Sequence, residues 1–556
     1  MGSEIELVVE LPPGSDPALA AALRTVSPEL VVGSGDPRSA RADAWHYAPG
    51  QPAVMLAPHH LRNVLLCLAH QPLDFVVVSH GLEEPPALQI VSAANAVVLS
   101  AAARRALRET AGLPPGAQGR ILRLVPPPPG AALVSARLDD LGLGPLEADG
   151  PELRAKGTAW PTGSPPRRPA CALFPSVPET RETVLVLPIM MAVGGVERNL
   201  IEVARALRDR YAFVVVTTER LSTARGSLSH QLLPWCEALF EIGELAPQQE
   251  FLALLETISA SYRPGLVWIC NGSPWLLAHS AELRGLFRDV PIVDQQVYDT
   301  DVGWIEHYGD AGIQSFDRFI AINRQIHRVF QQRFGIDPGR IDLVYHAVDT
   351  VRFQLAAADA CPRREGARAY GLPDEGLRFG LVGRLTPQKR PLDFLQLARR
   401  ARDAGLPGCF VLVGDGELAA ECDAYAQRHE LANLRRIPFC DDMSRLLPLF
   451  DGLVICSEYE GLPISMLEAL AMGVPVLSTA VGDVPLVLEE YEVGRIVPRI
   501  GDPAALFEAF QAWRGELPAL RERARRAAPR IAERFSAAAA GAAYDASWRR
   551  ARAARG

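Results

Sequence analysis

Residues 453–485 constrain this chain more than any other stretch. Leu453 to Cys456 is an apolar run suited to a buried strand, and Gly461 and Pro463 mark a turn after it. Ile464 to Met472 is rich in strong helix formers, Gly473 is placed to end that helix, and Val474 to Leu477 opens a second β-branched run. Strand, tight loop, helix and strand in that order make a βαβ unit of a parallel sheet. In open parallel sheets ligands bind where strands end and helices begin. Glu460 falls on that loop, and Glu468 falls inside the helix.

Carboxylates accept hydrogen bonds from hydroxyls, and free N–H groups at a helix N-terminus suit anions. A crevice offering both suits a molecule with sugar hydroxyls and a phosphate. Two glutamates at this spacing also arise by chance, with Glu460 solvated and Glu468 on a helix face. The intervening GLPISML and trailing EALAMGVPVLST argue against chance. Together they closely resemble the donor-binding segment of the retaining GT-B glycosyltransferases of family 4, also called group 1.

Two further motifs extend the resemblance over roughly residues 183–550. After a buried strand from Thr183, a loop ends at Gly194-Gly195 and a helix follows with Val196, Leu200, Val203, Ala204 and Leu207 on one face. Glycines at a strand-to-helix turn let the backbone approach a ligand, and the helix dipole favours negative charge there. GGVER resembles the family's diphosphate-side glycine loop. A strand from Phe379 leads to Gly383, Arg384 and Lys389, with a helix from Pro391. Of 57 basic residues only Lys156 and Lys389 are lysines. In a chain that otherwise uses arginine, a compact ammonium at a strand end suits a diphosphate.

The resemblance implies an α/β protein of GT-B fold, with two Rossmann-like domains facing a cleft and an N-terminal α/β accessory domain. The boundaries read as 1–135 for the accessory domain, 136–181 for a Pro-rich linker with a short helix at 138–146, and 182–352 for the acceptor domain. Residues 353–535 form the donor domain, and 536–556 a C-terminal helix returning to the acceptor domain. The accessory domain carries an echo: NAVVLSAAARRALRETAGLPPGAQGRILRLV (95–125) parallels residues 317–349. It reads as a shortened, degenerate copy of a GT-B half, suited to recognition or oligomerisation.

The implied reaction moves a sugar from a nucleotide diphosphate sugar to an acceptor hydroxyl with retention, in bacterial polysaccharide, lipopolysaccharide or glycoconjugate synthesis. Arg384 and Lys389 would neutralise the leaving diphosphate, Glu460 would hold the donor sugar, and Glu468 the ribose. Gly194, Gly195, Gly383, Gly461, Leu462, Pro463 and Ile464 would complete the donor site. No cofactor and no metal is expected. The acceptor class stays open between a saccharide, a lipid-linked glycan and a protein, and the oligomeric state is open too. A non-catalytic sugar-nucleotide binding protein is the alternative, because the family often carries a His after the strand matching PIVDQQV. Here Gln295, Gln296, Val297, Tyr298 and Asp299 stand instead.

Asn271, Gln295 to Asp301 and Asn323 are expected on loops at the cleft, with Asn271, Asp299 and Asp301 on the acceptor side. Asp299-Thr300-Asp301 resembles the D-x-D metal motif of GT-A enzymes, but the GT-A context is absent. A net charge of −8 argues against a general nucleic-acid binder. Nine scattered cysteines without a C-x-x-C pair fit free thiols in a reducing cytosol. No signal peptide and no apolar run of about 18 residues is present, so a cytoplasmic protein is expected. Residues 518–556 carry ten arginines against three acids, with Pro529 interrupting the segment. That surplus would suit contact with anionic lipid at the inner face of a membrane, although a solvated Arg/Ala-rich helix accounts for it more simply. The Ala and Arg bias resembles a protein from a GC-rich bacterium.

Overall fold

A computed structural model describes six strands within residues 7–124, and residues 180–555 apart from 222–226, 246–247, 298–303, 356–362, 439 and 441. The expected linker helix at 138–146, and Asp299 and Asp301, lie outside the described residues. The chain forms two compact units. The second comprises Val193–Leu207, Ile269–Gly272 and Pro291–Gly556, and the remainder forms the first.

In the first unit, β1 (Leu7–Glu10), β2 (Leu30–Gly33), β3 (Trp45–Pro49), β4 (Phe75–His80), β5 (Ala96–Ser100) and β6 (Gly119–Leu124) make a sheet of order β2-β1-β3-β5-β4-β6. It is mixed: β5 runs antiparallel to both β3 and β4, whereas β4 and β6 are parallel. The sequence echo therefore does not extend to topology. Its counterpart strands, β12 (Arg318–Ala321) and β13 (Ile341–Leu343), are parallel neighbours, but β5 and β6 are separated by β4 and run in opposite directions.

A seven-stranded sheet follows, built from β7 (Glu182–Pro188), β8 (Tyr211–Thr217), β9 (Ala238–Glu241), β10 (Leu266–Cys270), β11 (Ile292–Gln296), β12 and β13. Its order is β13-β12-β11-β10-β7-β8-β9, and β10 has residues in both units. The pairs β7–β8, β8–β9, β11–β12 and β12–β13 are all parallel. Every residue of β8, β10 and β11 is buried, as expected of parallel strands covered on both faces.

In the second unit, β14 (Arg378–Val382), β15 (Cys409–Val413), β16 (Leu434–Ile437), β17 (Gly452–Ile455), β18 (Val476–Thr479) and β19 (Gly494–Val497) form a wholly parallel sheet, order β16-β15-β14-β17-β18-β19. Strand alternation sends Phe410, Leu412, Val454 and Cys456 into one apolar cluster and Val411, Val413, Leu453 and Ile455 into the other. The helices that matter below are α1 (Gly195–Leu207), α2 (Arg324–Gln332), α3 (Pro391–Asp403), α4 (Ile464–Ala471), α5 (Pro503–Arg534) and α6 (Ala537–Ala553).

One expectation changes here. Pro529 does not interrupt the C-terminal segment: α5 runs through Pro518 and Pro529. Each proline removes a helix hydrogen bond, and a continuous buried face (Phe510, Trp513, Leu517, Leu520, Ala524, Ala528, Ile531) offsets that loss. Of the two compact units, the second includes α1 and residues 291–352. Within it α6 packs on α1 and also touches β11 and β12. Ser547 and Arg550 of α6 donate to Asp342 at 2.7 Å each.

Candidate donor site

Every described residue expected at the donor site lies in the second unit. The helix α4 begins at Ile464 as read from sequence, and Gly473, at φ +76°, follows its end. Pro463 precedes α4 and no side chain caps it, which leaves first-turn N–H groups for an anion. A methyl group on Gly195, the first residue of α1, would lie 3.3 Å from Cγ1 of Ile464. The glycine loop and the Glu460–Glu468 segment therefore converge, though 269 positions separate Gly195 from Ile464 in the chain.

Lys389 closes a 3-10 turn after β14, where a methyl on Gly383 would stand 3.6 Å from its Cε. The Lys389 ammonium donates to Oε1 of Glu460, and Ser457 Oγ donates to the same oxygen at 2.7 Å. Around them Gln388 stitches the two loops: its side-chain Nε2 donates to the Tyr459 carbonyl at 3.0 Å, and its carbonyl accepts from the Glu458 N–H at 2.8 Å. Arg384 is exposed beside this junction, close enough to oppose the rise in the Tyr459 pKa that burial causes. The structure thus brings Lys389 and Glu460, assigned to different parts of the donor, into contact.

Glu468 is buried. Burial pushes its pKa up to about 7; the charges of Arg198 and Arg352 oppose the rise and Asp349 adds to it. Arg198 comes from the GGVER motif and was not singled out from sequence. Neither was Ser457, whose only sequence signal was its place three residues before Glu460. Leu462 and Gly461 are buried, and a methyl on Gly461 would stand 2.2 Å from Cδ1 of Ile322.

On the expected acceptor side, Asn271 follows β10 in the left-handed region (φ +59°), which asparagine tolerates. Its N–H donates to the Gln295 carbonyl at 3.0 Å, and its buried Oδ1 has no partner among the described residues. Gln295 and Gln296 are not on a loop: β11 extends through both and they are buried. Tyr544 of α6 is the reason. Its hydroxyl donates to Gln295 Oε1 at 2.5 Å and accepts from Asn199 Nδ2 at 2.9 Å. Gln295 Nε2 also lies 3.4 Å from Nε2 of His346, whose pKa burial lowers to about 4, so it is neutral at pH 7. Asp294, on the opposite face of β11, accepts from the Tyr308 hydroxyl, and burial raises its pKa to about 7.

These parallel sheets and converging motifs define a GT-B protein. Residues 193–352 match Glycosyltransferase Family 4 and residues 362–530 match Glycosyl transferases group 1. The chain belongs to the group 1 glycosyltransferases. It is 29% identical over 182 residues to the UDP-Gal:alpha-D-GlcNAc-diphosphoundecaprenol alpha-1,3-galactosyltransferase of Escherichia coli, covering 32% of this chain and 46% of that one. It is 30% identical over 194 residues to the D-inositol 3-phosphate glycosyltransferase of Mycobacterium bovis, covering 33% and 38%. The match thus spans less than half of each relative's length. In fold it resembles Anabaena HepE, solved with UDP and glucose (TM-score 0.55, 18% identity, 66% of this chain and 98% of that one). Sucrose-phosphate synthase from Thermosynechococcus elongatus is similar to the same degree (TM-score 0.55, 18% identity, 67% and 100%).

Proposed function

We propose that the protein is a retaining glycosyltransferase that uses a nucleotide diphosphate sugar. The observation that carries this reading is the meeting of Lys389, Glu460, the uncapped start of α4 and the glycine turn at Gly195 within one unit. Cations, free N–H groups and carboxylates then stand together where a diphosphate and a sugar need them.

Lys389 and Arg384 would neutralise charge that develops on the leaving diphosphate, the step at which such donors lower the barrier most. The first-turn N–H groups of α4 would share that charge. Glu460 would accept from donor-sugar hydroxyls, and Glu468 from the ribose. No metal is required in this scheme. Anabaena HepE was solved with UDP and glucose, and the Escherichia coli relative is named for a UDP-sugar and a lipid-linked acceptor. Both names support a nucleotide-sugar donor, and that of the Escherichia coli relative supports a lipid-linked acceptor in a bacterial glycoconjugate pathway. Among the described residues no helix is long and apolar enough to cross a membrane.

The test is a thermal-shift panel of nucleotide sugars followed by donor turnover with lipid-linked and free saccharide acceptors. A ligand of the native state raises the Tm in proportion to RT ln(1 + [L]/Kd). A rise with at least one nucleotide sugar, and release of its nucleoside diphosphate, is expected. Binding without turnover across the acceptor panel would favour the non-catalytic alternative.

A further inference from the structure

Asp483, just after β18, belongs to a polar cluster that the donor chemistry does not use. Both its carboxylate oxygens accept from the backbone N–H of Arg324, at 3.1 and 2.9 Å, and Oδ2 also accepts from the Tyr345 hydroxyl at 2.7 Å. Arg324 is the first residue of α2, so this helix start is held by a side chain 159 positions along the chain. The helix's own cap, Asn323, works from both ends of its amide. Its Oδ1 accepts from the Ile326 N–H at 2.7 Å, while Nδ2 donates to the Gly461 carbonyl at 3.2 Å. The Asp483 N–H donates to that same carbonyl at 3.3 Å.

Beneath the loop the packing leaves no slack. Gly482 has φ +48°, and a methyl there would lie 2.0 Å from the Gly461 oxygen and 2.4 Å from that of Glu460. Asn323 and Asp483 are both buried. A buried carboxylate is costly unless donors satisfy it, and here these include the start of α2 and Tyr345. The geometry of the Glu460–Gly461 backbone and the seating of α2 are thus held by one set of hydrogen bonds.

We infer that Asp483 and Asn323 form a clasp that fixes the Glu460–Gly461 loop while the start of α2 is seated, so that nucleotide-sugar binding and the seating of α2 are coupled. The inference rests on the donor reading above. Both residues act through Gly461 and are positioning residues. Coupling of this kind is reciprocal: whatever orders the loop also orders α2.

Hydrogen exchange on the full chain, with UDP as probe, tests it. In the wild type UDP should slow exchange at the start of α2 (323–327) as well as at 384–389 and 461–468. In Asp483→Ala the protection at 323–327 should vanish, UDP affinity should fall about tenfold, as losing a hydrogen bond to a charged group does, and donor KM should rise more than kcat falls. Asp483→Asn, which keeps one acceptor oxygen, should recover part of the affinity. Tyr345→Phe removes one donor without touching the loop and gives the same shift in smaller measure should Asp483→Ala fail to fold. Wild-type binding that leaves 323–327 unchanged, or protection that persists in the variants, overturns the clasp alone. A wild type that binds no nucleoside diphosphate overturns the donor reading and the clasp with it.

Discussion

The ammonium of Lys389 donates to Oε1 of Glu460, 71 positions further along the chain. The lysine side chain is 22% exposed and that of the glutamate 9%, so the pair lies at the edge of the interior, its glutamate on the loop that leads into α4. A diphosphate entering here would compete with Glu460 for the lysine, and a sugar hydroxyl would compete with Lys389 for the carboxylate. Ser457 donates to the same oxygen, so Glu460 would keep its place if the lysine turned to a ligand.

Replacing Lys389 by Ala should lower turnover by about 100-fold or more, the usual effect of removing one donor to a developing oxyanion. Circular dichroism and Tm should show the fold intact. Near-native turnover in the variant would remove the lysine from the leaving-group role.

With Glu468 on the ribose, nucleotide affinity should depend on pH. Its carboxyl ionises only near pH 7 in the folded chain, and a ribose hydroxyl is best held by the ionised form. Affinity should therefore rise between about pH 6 and 8 in the wild type and stay flat, beyond the titration of the nucleotide itself, in Glu468→Gln. Stability follows the opposite sign. A carboxyl whose folded pKa is raised stabilises fully below its unfolded value near 4.5, and that contribution is lost as pH rises through about 7. Calorimetric titration and urea unfolding across this range check both. A flat wild-type affinity profile would take Glu468 off the ribose.

Activity should survive EDTA, since Arg384, Lys389 and helix N–H groups are assigned the leaving-group charge. Loss of turnover on chelation, restored by Mn²⁺ or Mg²⁺, would bring Asp299 and Asp301 forward as ligands instead.

Tyr544→Phe isolates the return of α6. It strips a partner from Asn199 and from Gln295, both buried, at about 1–3 kcal/mol for each group left unsatisfied. The Tm should fall by about 5 °C or more, with nucleotide affinity little changed. An unaltered Tm would mean that water replaces the hydroxyl and that packing alone docks the helix.

Much of this site could be read along the chain. The helix formers from Ile464, the stop at Gly473 and the apolar runs of β14 and β17 each act through residues within about ten positions of themselves, so the order strand, loop, helix follows from local preference alone. The rarity of lysine drew notice to Lys389 without any neighbour in space. What the sequence left open depends on partners that meet only when the chain closes. Gln295 was expected on a cleft loop, yet it is buried because Tyr544, 249 positions on, supplies the donor that makes its burial tolerable. Pro529 was expected to break a helix, yet the buried face of α5 carries the helix past it. The contact of Lys389 with Glu460 and the hold of Asp483 on Arg324 are of the same kind. Backbone preference is decided by near neighbours, whereas burial of a polar group is decided by whichever distant group arrives to satisfy it, and that is a property of the tertiary structure.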